Sequence, residues 1–139
     1  MTDLPEERDG RFTVVPRQEV DARADEAAAA RDAADFAQEL DLIESRVRRV
    51  IDAGRPDFVD GSASYDAASM AIIRLRALLD VKRFEPFLAV LTEAERRAIN
   101  ATRLVTAHAH YAVMDDEEFW FTATRDVPDV LARLRAQSA

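Results

Sequence analysis

The sequence predicts an all-α fold, an antiparallel bundle of four to five helices. The 139-residue chain is rich in the helix formers alanine, leucine, arginine and glutamate. It contains only three glycines, and its apolar residues recur at steps of three and four positions. A sheet would need β-branched runs separated by turns every 8–12 residues or so. A chain of this length builds a single core.

Residues 1–35 are predicted to be an acidic N-terminal arm, partly mobile or weakly helical. The first fifteen residues are mostly polar, with Pro5 and Gly10, and nothing breaks a helix from Arg17 to Ala53. Up to about residue 34, only alanines and Val20 are available for burial. We therefore expect the helical domain proper to span residues 36–139.

The first core helix ends at Gly54 and Pro56, a strong stop signal. Its predicted buried face is Phe36, Leu40, Ile43, Val47, Val50 and Ile51. A second helix is expected from about 64 to 83, capped by Ser62 or Ser64 and ended or kinked by Pro86. Its predicted buried residues are Tyr65, Ala68, Ile72, Leu75 and Leu79.

A third helix is expected from Thr92 to about 109, because Thr92 and Glu95 have the spacing of a capping box. Ile99, Thr102 and either Val105 or Thr106 lie on one face of it. Asp115 and Asp116 can cap a last helix to about 136, which Pro128 kinks or restarts.

Charge is distributed unevenly along the chain. The net charge of −8 argues against nucleic-acid binding by the chain as a whole. Residues 70–111, however, carry seven basic and four acidic side chains, a net of +3. Arg74, Arg76, Arg96 and Arg97 are therefore candidate RNA-binding residues, and the alternative is that they are solvated arginines on helix faces.

Several classes of protein are disfavoured by composition. The chain has no cysteine, hence no disulfide and no thiolate nucleophile or metal ligand. We expect a soluble cytoplasmic protein, because the acidic N-terminus lacks the apolar segment of a signal peptide and no run is long enough to span a membrane.

The stretch from Arg103 to Pro128 contains both histidines and the only tryptophan, and Arg103 stands five residues before His108. This segment resembles the HEPN superfamily and, within it, the HepT-like toxins of bacterial toxin–antitoxin pairs. The resemblance covers about residues 36–136, including the upstream stretch that begins Tyr65-Asp66-Ala67. The positions that carry it are Ile99, Arg103, His108, Asp115, Trp120 and Asp126-Val127-Pro128.

The match departs from the family pattern at three positions. Leu104 stands where the family usually has a small polar residue. His110 occupies the position of the family tyrosine, whereas Tyr111 has the family's interval to the aspartate and the tryptophan. An Arg-x6-His reading, in which His110 takes the place of His108, is also allowed in the wider superfamily.

The resemblance implies a metal-independent ribonuclease that uses Arg103 and His108, with His110 as a second candidate, in a cleft formed by a two-fold dimer. Metal-free RNA cleavage uses the 2′-hydroxyl as nucleophile and needs a group that titrates near neutrality, which histidine supplies. Arginine supplies a permanent two-pronged positive charge for the phosphate. No cofactor is expected.

The implied partners are an RNA substrate and an MNT-type nucleotidyltransferase antitoxin, which would modify Tyr111. A catalytically silent HEPN module that serves as scaffold or substrate-binding partner of a nucleotidyltransferase is the alternative. A third hypothesis is a helical interaction domain unrelated to nucleotides. A metal site formed by the acids 115–118 with His108 and His110 is disfavoured, because histidines two apart point to different helix faces.

Overall fold

The computed structural model describes Val14, residues 16–107 and residues 115–138, with the backbone alone for residues 103–107. Every element in this part of the chain is helical, as the sequence predicted. A π-helical segment, Thr122–Asp126, joins the last two helices, and short 3₁₀ turns cover Arg55–Asp57 and Lys82–Phe84. The α-helices are α1 (Arg17–Ala53), α2 (Ala63–Leu78), α3 (Glu85–Leu88), α4 (Glu93–Ala107), α5 (Asp116–Phe121) and α6 (Val127–Ser138).

Helix α1 is unbroken from Arg17 to Ala53 and stops at Gly54, as predicted. Gly54 adopts a φ of 85°, a conformation that costs a residue with a Cβ free energy. Five of the six predicted face residues are buried, but the prediction for Ile51 is wrong, since its side chain is 48% exposed. Ile51 lies at the edge of the buried face, about 40° around the axis from Val47 and about 100° from Val50, and it lines an open groove with Pro128 and Leu131.

Contacts divide the chain into two compact units, residues 1–31 and residues 32–139. In the first unit, the side chains from Arg17 to Arg31 are exposed apart from the half-buried Ala28. In the second unit, Phe36 is the first buried residue of α1, and the core is built from all the α-helices of that unit.

The predicted end of the second helix is wrong by five residues, because α2 stops at Leu78. The N–H groups of Leu79, Asp80 and Val81 each bond to a carbonyl three residues back, which tightens the chain into a turn. Pro86 neither ends nor kinks this helix; it lies in the first turn of α3, where a fixed φ is favourable.

Side-chain caps begin three of the helices as the sequence predicted. Ser62 caps α2 by accepting a hydrogen bond from the Tyr65 N–H at 3.1 Å. The box before α4 is complete, with the Thr92 N–H donating to Glu95 at 2.9 Å and the Glu95 N–H to Thr92 at 3.0 Å. Asp115 caps α5 through the Glu117 N–H at 2.9 Å.

The sequence left open whether Pro128 kinks the last helix or restarts it, and the structure shows a third arrangement. The segment widens to a π-helix just before the proline, with the Val127 N–H donating to the carbonyl of Thr122, five residues back. In a regular α-helix the proline ring would clash with the carbonyl of Thr124. The wider turn accommodates the ring, and the helix continues to Ser138 instead of ending near 136.

Ion pairs between elements define antiparallel neighbours within residues 32–138. Glu39 pairs with Arg74 and Asp32 with Arg83, so α1 and the α2 region run in opposite directions. Asp41 pairs with Arg135 and Arg55 with Glu117, which gives the same relation between α1 and the α5–α6 helix. None of the described helices is long and apolar enough to cross a membrane.

Candidate functional site

Arg103 lies on α4, whose rotation is fixed by two buried residues nearby. Ile99, one turn earlier, is 7% exposed, and Thr102 is 8% exposed. The Thr102 hydroxyl donates to the carbonyl of Ala98 at 2.8 Å, which satisfies its proton within the helix. Arg103 follows Thr102 by about 100° around the axis, so its Cα lies beside the packing face and not at its centre.

The other predicted site residues, His108, His110 and Tyr111, lie outside the described residues, and the described part of α4 ends at Ala107. The pairing of Arg103 with His108 therefore stays a prediction. So does the choice between His108 and His110, and the modification of Tyr111.

Downstream of these residues, an aromatic cluster anchors the start of the last helix. Phe58 packs against Phe119 and Trp120 with ring centroids 5.3 and 5.5 Å apart. Phe119 is buried, and Trp120 is partly buried against the core. The cluster fixes the start of α5 against the α1–α2 loop and α2.

Tyr65 joins this cluster with its ring 5.0 Å from Phe119 and 5.1 Å from Phe58. Burial raises the pKa of the Tyr65 hydroxyl, and the negative charges of Asp116 and Asp60 raise it further. The phenol therefore stays protonated at neutral pH and is a weak nucleophile.

The four acidic residues 115–118 stand at the start of α5, and two of them have structural roles there. Asp115 caps α5, and Glu117 accepts a hydrogen bond from Arg55 at 3.2 Å. Carboxylates in the first turn of a helix are favoured by the N-terminal dipole. Within the described residues, no group of three or more His, Cys, Asp or Glu side chains could hold a metal ion.

Three of the four candidate RNA-binding arginines are partnered within the chain. Arg74 donates to Glu39 at 3.1 Å. Arg76 donates to Asn100 at 2.7 Å and to Asp80 at 2.9 Å. These carboxylates compensate the charge of both guanidinium groups, which reduces the potential that α2 presents to a phosphate.

Arg96 is held in the same way, by Glu85 at 3.2 Å and by the carbonyl of Leu88 at 2.9 Å. Its neighbour Arg97 is exposed and makes no ion pair with any residue the structure describes. Whether these four arginines bind RNA stays a prediction, and Arg97 is the one whose charge is least compensated.

A groove beside Thr102 was not anticipated from the sequence. It has a volume of about 280 Å³ and lies between α4 and the Thr122–Val130 segment, with two residues of α2 at its base. The residues that line it are Ile72, Leu75, Glu95, Ala98, Ile99, Thr102, Thr122, Asp126, Val127, Asp129 and Val130. The sequence signals were the apolar spacing of Ile99 with Thr102 and of Val127 with Val130, but no local pattern reveals which helices meet.

The comparisons with known proteins add no relative: no family model, no curated protein and no solved structure matches the chain.

Proposed function

We propose that the chain is a metal-independent endoribonuclease of the HEPN type, the toxin of a toxin–antitoxin pair. The observation that carries the proposal is the ordered register from Ile99 through Arg103 and His108 to Pro128. Several unrelated residue types stand in the family order at nearly the family intervals, and this is more specific than an isolated Arg-x4-His.

The residues of this register that the structure describes support the proposal, because each of them holds the backbone on one side of the motif in place. Ile99 is buried one turn before Arg103. Asp115 caps the next helix, and Trp120 packs against Phe58. Asp126-Val127-Pro128 lies at the junction of the π segment with α6. A fixed frame on both sides of the motif is what positioning of reacting groups needs.

In the proposed mechanism, His108 exchanges a proton with the 2′-hydroxyl or the leaving oxygen of RNA. Arg103 donates hydrogen bonds to the phosphate as negative charge develops there. His110 is the second candidate for the proton-transfer role. A two-fold dimer would bring two such motifs to one cleft, and an MNT-type nucleotidyltransferase antitoxin would silence the site by modifying Tyr111.

The test compares bacterial cells that express the wild type, Arg103→Ala or His108→Ala, followed by RNA cleavage with each purified protein in EDTA. We expect the wild type to arrest growth and cut RNA without metal, and each variant to lose cleavage by at least a hundredfold. Glu93→Ala, a change to an exposed residue in the first turn of α4, is the control and should stay active. An inert wild type, produced without any partner, would rule the ribonuclease out.

The second candidate is a catalytically silent HEPN module that serves as scaffold or substrate-binding partner of a nucleotidyltransferase. The specific observation in its favour is that Arg74, Arg76 and Arg96 are each bonded to a carboxylate of the chain. Leu104, in place of a small polar residue, also favours it. Stable co-purification with a nucleotidyltransferase, with no cleavage of RNA by the free chain, is the outcome that selects this candidate.

A further inference from the structure

The groove between α4 and the Thr122–Val130 segment, here the α4–α6 groove, combines an apolar floor with a polar rim. Its floor is formed by the buried Ile72, Leu75, Ile99, Val127 and Val130, and the exposed Ala98 lies at its edge. Its volume of about 280 Å³ is just below the range of ordinary ligand pockets, roughly 300–1,000 Å³. A single long side chain, and not a nucleotide, suits a space of this size.

The rim carries two carboxylates that are weakly compensated. The side chain of Asp126 is 64% exposed, and its ion pair is with the adjacent Arg125 at 3.8 Å. The side chain of Asp129 is 74% exposed and lies 3.6 Å from the Nε of Arg133. Exposed pairs at these distances contribute little, so both carboxylates keep capacity for a stronger donor.

The third carboxylate of the rim, Glu95, already accepts hydrogen bonds from an arginine of the chain. Arg133 donates to both of its oxygens, one of them at 3.3 Å. This pair occupies the guanidinium of Arg133. Among the described side chains of the rim, three carboxylates face two cations, Arg125 and Arg133, which leaves one negative charge in excess.

The remaining hydrogen-bonding capacity of the rim is mostly that of an acceptor, and the hydroxyl of Thr122 is the described lining side chain that can also donate. Carboxylates only accept, and the hydroxyl of the buried Thr102 has committed its proton to Ala98, which leaves it only acceptor capacity. Acceptors over an apolar floor match a donor-only cation on an aliphatic stem, the chemistry of arginine and lysine. The same rim repels a phosphate, so RNA is not the occupant.

We propose that the α4–α6 groove binds an arginine or lysine side chain of a partner protein. The aliphatic stem lies along Ile99 and Val130, and the cationic head donates to Asp126 and Asp129. An apolar centre with a polar rim is the usual anatomy of a protein–protein contact, and charge complementarity selects a basic partner. The π segment contributes Thr122 and Asp126, which agrees with the frequent occurrence of π turns at functional sites.

The probe for the test is N-acetyl-arginine methylamide, titrated into the ¹⁵N-labelled full-length protein and followed by amide chemical shifts. Acetyl-citrulline methylamide, which has the same shape without the charge, is the matched ligand control. We expect shifts concentrated at Thr122, Asp126, Val127 and Val130, with a Kd on the order of 1 mM, the range of a single side-chain contact. The citrulline compound should bind at least tenfold more weakly.

The matched protein variants are Asp126→Asn, Asp129→Asn and the control Asp52→Asn, which removes the same charge from an exposed site on α1. We expect each groove variant to weaken binding of the arginine compound about three- to tenfold and the control to leave it unchanged. Asp126 and Asp129 are both exposed, and the dispersion of each variant's amide spectrum verifies that it is folded.

Three outcomes would overturn the proposal: equal binding of the arginine and citrulline compounds, groove variants that bind like the wild type, or tighter binding of agmatine than of the capped arginine. The last would assign the groove to a free amine and not to a partner protein. Because no RNA takes part in the titration, failure of the ribonuclease proposal would leave this result unaffected.

Discussion

Glu95 shows how much a single side chain can organise in this protein. It closes the capping box of α4 with Thr92 and at the same time receives Arg133 from α6. The hydrogen bond from Arg133, followed by that from the Thr92 N–H, lowers the pKa of the Glu95 carboxyl. Glu95 therefore joins the start of one helix to the middle of another.

At pH 7 we expect Glu95→Gln to reduce the free energy of unfolding by about 1 kcal/mol, because glutamine keeps the cap but loses the charge pair. Ionised Glu95 stabilises the fold fully above its ordinary pKa of 4.5. This contribution is lost as the pH falls through the lowered pKa of the folded state. Urea unfolding between pH 7 and pH 3 should therefore show that the difference in free energy of unfolding between wild type and variant becomes smaller as the pH falls.

Glu93→Gln is the control, since Glu93 is exposed in the same turn. It should change the free energy of unfolding by only a few tenths of a kcal/mol. If the loss of unfolding free energy in Glu95→Gln stayed constant with pH, the charge of Glu95 would not be the cause of the stabilisation.

A comparison of Arg97 with Arg74 tests the RNA-binding hypothesis. Arg97 is exposed without a described ion-pair partner, whereas Arg74 is compensated by Glu39. If the chain binds RNA, the logarithm of its binding constant should fall linearly with the logarithm of the salt concentration. We expect Arg97→Ala to make this slope shallower by about 0.7, the value for one phosphate contact with a single strand. Arg74→Ala should change the slope little. Fluorescence anisotropy across a salt series measures both, and equal slopes for the two variants would contradict the ranking.

At the scale of elements, the loop between α1 and α2 is held by one aromatic side chain. Phe58 is fully buried and contacts Tyr65 of α2, seven residues away, and Phe119 and Trp120 of α5, which are some sixty residues away in sequence. Its neighbour Val59 is 51% exposed. The loop therefore joins the end of α1 to the start of the α5–α6 helix.

We expect Phe58→Ala to reduce the free energy of unfolding by about 3–5 kcal/mol, through lost burial and the cavity left behind. Val59→Ala, the adjacent control, should cost less than about 0.5 kcal/mol. Urea denaturation with tryptophan fluorescence reports both effects, because Trp120 lies against Phe58. Similar losses for the two variants would show that the loop, and not the aromatic contact, carries the stability.

At the scale of the whole molecule, the ribonuclease proposal requires a dimer, because one Arg–His pair supplies few catalytic groups. We expect light scattering to give a mass of about 31 kDa, twice the 15.6 kDa of the chain. Arg103→Ala should remain dimeric, which separates loss of activity from loss of assembly. A monomer at micromolar concentration would contradict the two-fold cleft and favour the scaffold alternative.

The sequence by itself determined the helical class, the caps at Thr92 and Asp115, the stop at Gly54 and most of the buried face of α1, and it limited the cap of α2 to Ser62 or Ser64. These features depend on residues within one or two turns of each other, so local spacing and propensity are sufficient to predict them. The candidate motif rests on the resemblance to the HEPN superfamily, and its catalytic residues remain a prediction.

Tertiary structure decided the features that depend on contacts between distant residues. Ile51 fits the apolar spacing of α1 but is exposed, because the rotation of the helix against its neighbours sets its burial. Arg74, Arg76 and Arg96 appear as surplus charge in sequence, yet carboxylates compensate them in the fold. The α4–α6 groove has the same origin, because packing acts across space and sequence order does not record which helices meet.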